Sequence, residues 1–273
     1  RLPAILFGIG SIGLAYLIAK RWSQASGSIA AILLASSNLM ILHSSEARGY
    51  SGLVFFGLLA TWLLMAASEK NLIRWQIAFW ITCLLGILSH LTFVVILPPL
   101  FLWKVIESHH SKLVIIKLVM WFLMPTATTI LIYFLSYFGM TYVPGGWDTI
   151  PIWSLMRNSI TSVLAIPPHI PTIAWLIILI PIIAIVGMIL TWRHDRMLGA
   201  FFTLNCLAIP AIQIVATFNK TWSMRFALLP VAVMLLWLAY GLGRQWQQSQ
   251  YHRLVVATLI ALFVGFNTYE AIT

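Results

Sequence analysis

Long apolar runs separated by short polar links are the feature that most constrains this chain. The runs extend for about 15 to 24 residues, a length suited to helices that cross a bilayer core of about 30 Å. A transmembrane barrel would alternate apolar and polar residues with a period of two, whereas these runs are apolar on every side. With 61% hydrophobic and 8% charged residues, a soluble fold would expose large apolar patches. The sequence therefore predicts an all-α, polytopic integral membrane protein.

About ten of these runs are predicted to be membrane-spanning helices. They are Leu2–Ala19, Ser28–Leu42, Tyr50–Ala67, Trp75–Ser89, Leu91–Trp103, Leu113–Phe138, Thr172–Leu190, Met197–Ala216, Arg225–Gly243 and Leu254–Tyr269. The stretch Trp75–Trp103 allows two interpretations: one tilted helix of about 43 Å at 1.5 Å per residue, or two short helices hinged at Ser89-His90. The choice inverts the side of the membrane on which every later link lies.

The distribution of cations decides between these interpretations. With a hairpin at His90, 11 of the 16 lysines and arginines lie on one face and 5 on the other, whereas one long helix gives 7 against 9, which is no bias. The larger group is Lys20, Arg21, Lys70, Arg74, Lys104, Lys112, Lys117, Arg193, Arg196, Arg244 and Arg253; the smaller is Arg1, Arg48, Arg157, Lys220 and Arg225. We therefore expect the hairpin and a cytoplasmic eleven-cation face. Scattered at the ends of apolar runs, the cations behind the +10 net charge indicate topology rather than nucleic-acid binding.

The opposite, outer face then receives the longest polar segment, Gly139–Pro171. It begins with a glycine-rich turn, continues through the amphipathic stretch Ile152–Ile166, and re-enters the membrane at a proline-rich end. We predict that the amphipathic stretch lies in the headgroup region. Because Arg1 would also begin outside, at least one helix and one outer loop are expected upstream. No internal repeat or soluble domain is apparent, so residues 1–273 are predicted to form one transmembrane domain.

The polar link from His43 to Tyr50 is the first candidate site. It places Glu46 and Arg48 between two apolar runs, and on a helix these two side chains would diverge by about 200°. They could border the mouth of a cavity, or Glu46 could be a solvated cap near a helix N-terminus. His43 and Glu46 have a spacing that could hold a metal, but no third ligand is visible, and we predict no metal site.

Other candidates lie on the predicted outer face. Arg225 and Lys220 could clamp a phosphate or anchor the chain among lipid headgroups. His90 could border a pocket or only cap the hairpin. Asp148, next to Trp147, could be a base or a sugar ligand, although Gly-Gly-Trp-Asp is also ordinary turn chemistry.

Several segments resemble a known class of enzymes. They are Arg1–Gly8 (RLPAILFG), Ala30–Ser37 (AAILLASS), Ser45–Tyr50 (SEARGY), Ser89–Phe93 (SHLTF) and Met224–Pro230 (MRFALLP), the last with Phe226 where the class usually has tyrosine. The chain is similar to GT-C glycosyltransferases that use polyprenyl-phosphate sugars, a class with protein O-mannosyltransferase and aminoarabinose-transferase members (families 39 and 83). The resemblance extends over nearly the whole chain and is most specific in the first hundred residues.

This resemblance implies transfer of one sugar from an undecaprenyl- or dolichyl-phosphate carrier to a lipid, glycan or protein acceptor, usually with inversion. The reaction would take place on the outer face of a bacterial inner membrane. Glu46, Arg48 and Tyr50 would line the donor pocket, and Arg225 with Lys220 would hold the carrier phosphate. His43, His90, Trp147 and Asp148 would border the pocket or the acceptor. No cofactor is implied. The catalytic aspartate of the class belongs to an outer loop that would precede Arg1, so the 273 residues alone are expected to be inactive.

Two rival functions remain open. A transporter or lipid flippase would also need many helices and an outer cavity, but it would tend to show inverted repeats and charges near the membrane midplane. An O-antigen ligase or polymerase would also use outer arginines on a lipid-linked sugar. An acidic pair in an upstream outer loop would favour the transferase.

Overall fold

The computed structural model describes residues 1–45, 49–67, 72–107, 112–139, 185–208 and 228–272. All regular structure within these ranges is helical, which confirms the all-α prediction for them. The helices are α1 (Leu2–Lys20), α2 (Gln24–Ser36), α3 (Asn38–Ser45), α4 (Tyr50–Ala66), α5 (Leu72–Ser89), a 3₁₀ segment (Leu91–Ile96), α6 (Leu97–Glu107), α7 (Lys112–Gly139), α8 (residues 185–194), α9 (Arg196–Thr203) with a π-helical end (Leu204–Ala208), α10 (Leu228–Trp246) and α11 (Gln250–Ile272).

Four helices in the described ranges are long and apolar enough to cross a membrane. They are α1, residues Leu118–Leu135 of α7, α10, and residues Gln250–Tyr269 of α11; α2 and α3 taken together would make a fifth. Helices α4 and α5 are apolar but shorter. The predicted number of ten spans is therefore not confirmed. The outer segment Gly139–Pro171, apart from its first residue, lies outside the described residues together with its amphipathic stretch.

The predicted span Ser28–Leu42 is broken, because two helices occupy this stretch. Ser37 adopts an extended backbone, with φ −65° and ψ 115°, and the axes of α2 and α3 differ by 56°. In an unbroken helix the Asn38 N–H would bond to the carbonyl of Leu34. Here it donates instead to Oδ1 of Asn267 in α11, at 2.8 Å. A side chain from the last helix thus replaces a backbone bond lost at the break.

The predicted hairpin at His90 is confirmed by contacts along α4. Trp75, near the start of α5, packs against Trp62 near the end of α4, with 5.5 Å between ring centroids. At the far end of α5 the chain reaches His90, which packs against Tyr50 at the start of α4. Nζ of Lys104 in α6 then lies 3.5 Å from the Leu64 carbonyl oxygen. The chain therefore travels the length of α4 in one direction and returns in the other.

Helix α4 forms the centre of the bundle and is buried on most sides. Its small residues allow neighbours to approach closely, as is common where membrane helices pack. A Cβ on Gly57 would lie 2.5 Å from Cδ1 of Leu229 in α10, and one on Gly52 would lie 2.8 Å from Oγ of Ser89 in α5. Helix α10 also packs along α2, so late and early parts of the chain share one core.

An aromatic cluster marks one end of this bundle. Trp22 contacts Phe202 and Tyr240 with ring centroids 5.4 and 5.5 Å away, and Phe201 contacts Trp103 at 5.3 Å. Members of the predicted eleven-cation group lie next to these rings in sequence or at the ends of the same helices: Lys20, Arg21, Lys104 and Arg244. Tyr50 and His90 lie at the other end of α4. The described cations thus gather as the hairpin requires, while the identity of the cytoplasmic side remains a prediction.

Candidate functional site

A cavity of about 290 Å³ lies between α1, the broken pair α2–α3, and the first turns of α4. Most of its wall is apolar, and the polar residues come mainly from the end of α3 and the start of α4. The apolar wall is Ile5, Gly8, Ile9, Ile12, Leu34, Ala35, Met40, Ile41, Val54 and Leu228; the polar wall is Ser11, His43, Ser44, Ser45, Tyr50 and Ser51. The break at Ser37 therefore gives the cavity one wall on each side of the bend.

The cavity has an exposed flank and a buried polar end. Ile5, Ile9 and Ile41 in its wall are 51%, 63% and 40% exposed, so the flank opens towards the side of the bundle. On a membrane-spanning bundle this side faces lipid chains. By contrast, His43 and Tyr50 are each only 6% exposed. The exposed flank of the wall is thus apolar, while His43 and Tyr50 in the polar wall are enclosed by the bundle.

At the polar end of the cavity the ring of Tyr50 packs against two histidine rings. Tyr50 packs edge-on against His43, with 5.4 Å between centroids and 68° between planes. Its ring also packs against His90 at 5.0 Å and 40°. His43 and Tyr50 line the cavity, whereas His90 contacts Tyr50 without belonging to the lining. The structure therefore brings together three residues that the sequence analysis named separately.

The hairpin fixes the position of His90. Its backbone is extended, and its Nδ1 accepts the N–H of Thr92 at 3.3 Å and lies 2.6 Å from the Thr92 hydroxyl oxygen. A neutral ring that accepts at Nδ1 carries its proton on Nε2. His90 is therefore an N-cap of the 3₁₀ segment, as one interpretation of the sequence proposed, and it also packs beside the candidate site.

Two glycines allow the hairpin to approach α4. A Cβ on Gly49 would overlap the Ser89 carbonyl oxygen, and one on Gly52 would meet the Ser89 side chain. Gly49 has an ordinary φ of −67°, so its role is close approach and not an unusual backbone conformation. Without side chains at these positions, the start of α4 lies directly against the turn that carries His90.

The serines in the wall hold fixed orientations. Ser11 donates to the Phe7 carbonyl at 2.7 Å, Ser44 to Ile41 at 2.9 Å, and Ser45 to Leu42 at 2.7 Å. Each hydroxyl oxygen keeps lone pairs that can accept further hydrogen bonds. Together with the phenol of Tyr50, these groups give the polar wall a chemistry suited to the hydroxyls of a sugar.

The other predicted site residues lie outside the described part of the chain: Glu46, Arg48, Trp147, Asp148, Lys220 and Arg225. Ser45 and Gly49, which flank the Glu46–Arg48 link in sequence, are described, and Ser45 lines the cavity. Among the described residues, no group of three or more His, Cys, Asp or Glu side chains could hold a metal.

Sequence reasoning missed the wall that α1 contributes, from Ile5 to Ile12, and also Ser51 and Leu228. The only hint in α1 is the small or polar character of Gly8 and Ser11 within an otherwise apolar run. Such residues mark close helix contacts in many membrane proteins, so they do not by themselves point to a cavity.

Comparison with known proteins identifies a matching family and one similar protein. A family model described as "Dolichyl-phosphate-mannose-protein mannosyltransferase" (PMT_2) matches residues 1–138. The chain is also 32% identical over 102 residues to "Putative mannosyltransferase YkcB" of Bacillus subtilis (strain 168), an alignment that covers 37% of this chain and 14% of the relative. No solved structure matches the chain at a significant level. The family match includes every cavity-lining residue except Leu228.

Proposed function

Because the chain belongs to the dolichyl-phosphate-mannose-protein mannosyltransferase family, we propose that the protein transfers a monosaccharide from a polyprenyl-phosphate carrier to an acceptor at the outer face of a bacterial inner membrane. The acceptor would be a lipid, a glycan or a protein. The relative's printed name, a mannosyltransferase, makes mannose the first sugar to test.

The observation that carries this proposal is the amphipathic cavity. Its exposed flank, at Ile5, Ile9 and Ile41, would accept the isoprenoid chain directly from the bilayer. Its polar end, at His43 and Tyr50, would face the phosphate and the sugar. A polyprenyl-phosphate sugar has the same arrangement, since an apolar chain is joined through one phosphate to a hydroxyl-rich ring.

The transfer step needs charge at the phosphate. As the glycosidic bond breaks, negative charge grows on the departing carrier phosphate, and cations placed there lower the barrier. We assign this role to Arg48, Arg225 and Lys220, because arginine forks match phosphate oxygens and lysine adds a point charge. We place Glu46 beside them in the wall of the donor pocket.

The acceptor hydroxyl must lose a proton as it attacks the sugar carbon. A carboxylate within hydrogen-bond reach would remove it. In the GT-C class this carboxylate is an aspartate of an outer loop. Asp148 and Trp147 would border the acceptor. The phenol of Tyr50 would bind the donor, and His90 would hold that phenol in position by packing against it.

A lipid transporter is the second candidate, and one observation favours it. The predicted second span is broken at Ser37, and broken helices line the binding sites of many transporters. A transporter would move the carrier lipid across the bilayer without cleaving its bond to the sugar.

Reconstitution separates the two functions. The full-length protein would be placed in vesicles with radiolabelled polyprenyl-phosphate mannose, and both transfer of the label to an acceptor and movement of the intact lipid would be followed. We expect transfer, and we expect Glu46→Gln and Arg225→Ala to abolish it. Arg244→Ala is the matched control, because Arg244 lies at the end of the bundle opposite Tyr50, and this variant should remain active. Movement of the lipid without transfer would support the transporter instead.

A further inference from the structure

We propose that Asn267 is a positioning residue: its amide holds helix α3 in the bent arrangement that forms the cavity wall. Neither the family match nor the aligned relative assigns it a role, since the family match ends at residue 138. This inference rests on the proposed function only for the expected effect of Asn267 on the KM for the donor. The positioning itself can be tested without any enzymatic activity.

Both polar atoms of the Asn267 amide form a hydrogen bond. Its side chain is completely buried, its Oδ1 accepts the Asn38 N–H at 2.8 Å, and its Nδ2 donates to the Phe263 carbonyl at 2.9 Å. The first bond joins residues 229 positions apart and ends at the first residue of α3. In apolar surroundings an unpaired backbone N–H is costly, so this bond offsets part of the cost of the break.

Ser37 favours the opposite arrangement. It is completely buried, and its hydroxyl oxygen has no hydrogen-bond partner. Ser11 and Thr61, inside α1 and α4, bond to the carbonyls four residues earlier, those of Phe7 and Gly57. A continuous helix would offer Ser37 the same bond to Leu33. A continuous helix would therefore gain a hydrogen bond at Ser37, whereas the broken arrangement gains the bond between Asn38 and Asn267.

The bend decides whether the cavity has a wall. Helix α3 supplies Met40, Ile41 and His43 to the lining, while α2 supplies Leu34 and Ala35 on the other side of Ser37. Near its end α3 touches α1, where Cβ of Ser44 lies 3.4 Å from the position of a Cβ on Gly8. Straightening at Ser37 would carry this end of α3 away from α1 and would displace His43 from Tyr50.

A disulfide between α1 and α3 can report this geometry. Disulfide Cβ atoms are typically about 3.5 to 4.5 Å apart, so Gly8→Cys with Ser44→Cys should crosslink readily in the bent state. The full-length protein would carry this pair in a Cys83→Ala, Cys206→Ala background. The rate of oxidation would be followed in membranes by gel mobility.

Three substitutions at Asn267 and Ser37 are then compared. Asn267→Leu keeps the approximate shape without the acceptor, and we expect it to slow crosslinking about fivefold, the effect of one buried hydrogen bond on an equilibrium. Asn267→Asp keeps an acceptor oxygen and should crosslink close to the parent rate. Ser37→Ala removes the competing hydroxyl, so it should crosslink at least as fast as the parent and should restore the rate when combined with Asn267→Leu.

Asn205→Leu is the matched control. Asn205 is also completely buried, and its Nδ2 donates to the carbonyl four residues earlier, Phe201, at 2.8 Å, as Asn267 does to Phe263. It makes no bond to Asn38. Equal slowing by Asn205→Leu and Asn267→Leu would overturn the proposal, because the effect would then be a general loss of a buried amide. A parent rate for Asn267→Leu would also overturn it, as would slower crosslinking by Ser37→Ala alone.

The kinetic arm uses the same substitutions without the cysteines. Asn267→Leu should raise the KM for the polyprenyl-phosphate sugar while kcat changes little, and Asn267→Asp should restore the KM. If the protein transfers no sugar, the proposed function fails and the crosslinking result still decides the role of Asn267. If Asn267→Leu slows crosslinking but leaves the KM unchanged, the amide positions α3 without serving donor binding, and the kinetic part of the inference is wrong.

Discussion

The phenol ring of Tyr50, the first residue of α4, packs against the imidazole of His90 with 5.0 Å between ring centroids. Tyr50–Ala66 and Leu72–Ser89 form two antiparallel helices, so the chain returns to its starting level at the hairpin. His43 packs against the same phenol ring, with 5.4 Å between ring centroids. His43 in α3, Tyr50 in α4 and His90 in the hairpin turn therefore lie close together, and His90 can affect a ligand through Tyr50.

The two roles of His90 can be separated by substitution. His90→Ala removes both the cap and the ring, and we expect the free energy of unfolding to fall by about 1 kcal/mol. His90→Asn restores a good N-cap without the ring, so thermal unfolding in detergent should return close to the parent value. Both variants should transfer sugar more slowly if the ring supports Tyr50. Equal instability of the two variants would contradict the capping role.

The close approach of α4 and the hairpin predicts a contrast between two glycines. Gly49→Ala would drive a methyl group into the Ser89 carbonyl, and we expect a loss of about 1 to 3 kcal/mol. Gly13→Ala is the control, since nothing lies within 4 Å of its Cβ position in α1, and there alanine should stabilise the helix by about 0.5 to 1 kcal/mol. Thermal unfolding of the two variants should therefore shift in opposite directions. A neutral Gly49→Ala would show that the helices are not in contact there.

The cavity can be filled from α1. Ile12→Trp would occupy part of the space, and we expect binding of polyprenyl phosphate to weaken about tenfold, equivalent to roughly two methylene groups left unburied. Leu17→Trp lies on the same helix, is exposed, and does not line the cavity, so it should bind as the parent does. Titration of the lipid against intrinsic fluorescence would measure both. Equal affinities would exclude this cavity as the site of the carrier.

The sidedness of the bundle can be measured with two cysteines. Gln248→Cys lies in the exposed turn between α10 and α11, beside the cation end, and Ser45→Cys lies exposed at the other end. In a Cys83→Ala, Cys206→Ala background, a membrane-impermeant maleimide applied to intact cells should label Ser45→Cys and leave Gln248→Cys unlabelled. The reverse pattern would place the cavity's polar end in the cytoplasm and would contradict the proposed outer-face reaction.

The helical class and the hairpin could be predicted from the sequence because each follows from a property summed over many residues. Apolar length gives the class, and a count of cations distinguishes one long helix from two short ones. The break at Ser37 could not be predicted in this way. No proline stands at the bend, and the bond that stabilises it comes from Asn267, 229 residues away.

Only part of the site could be predicted from the sequence. His43, Tyr50 and His90 are polar residues at the ends of apolar runs, where they are conspicuous in the sequence. The α1 wall was missed because α1 is apolar all round, and in a membrane the lipid-facing and inward-facing sides need not differ in polarity. The roles of Glu46, Arg48, Trp147, Asp148, Lys220 and Arg225 stay predictions, since these residues lie outside the described ranges.

The contact between Gly57 and Leu229 has an evolutionary consequence. Gly57 lies within the segment that the family model matches, and Leu229 lies about 90 residues beyond the end of that segment. A larger residue at position 57 would collide with Leu229 unless the partner became smaller. Homologues with alanine or serine at position 57 should therefore carry valine or alanine at position 229. Such covariation would link the second half of the chain to the part that the family model matches.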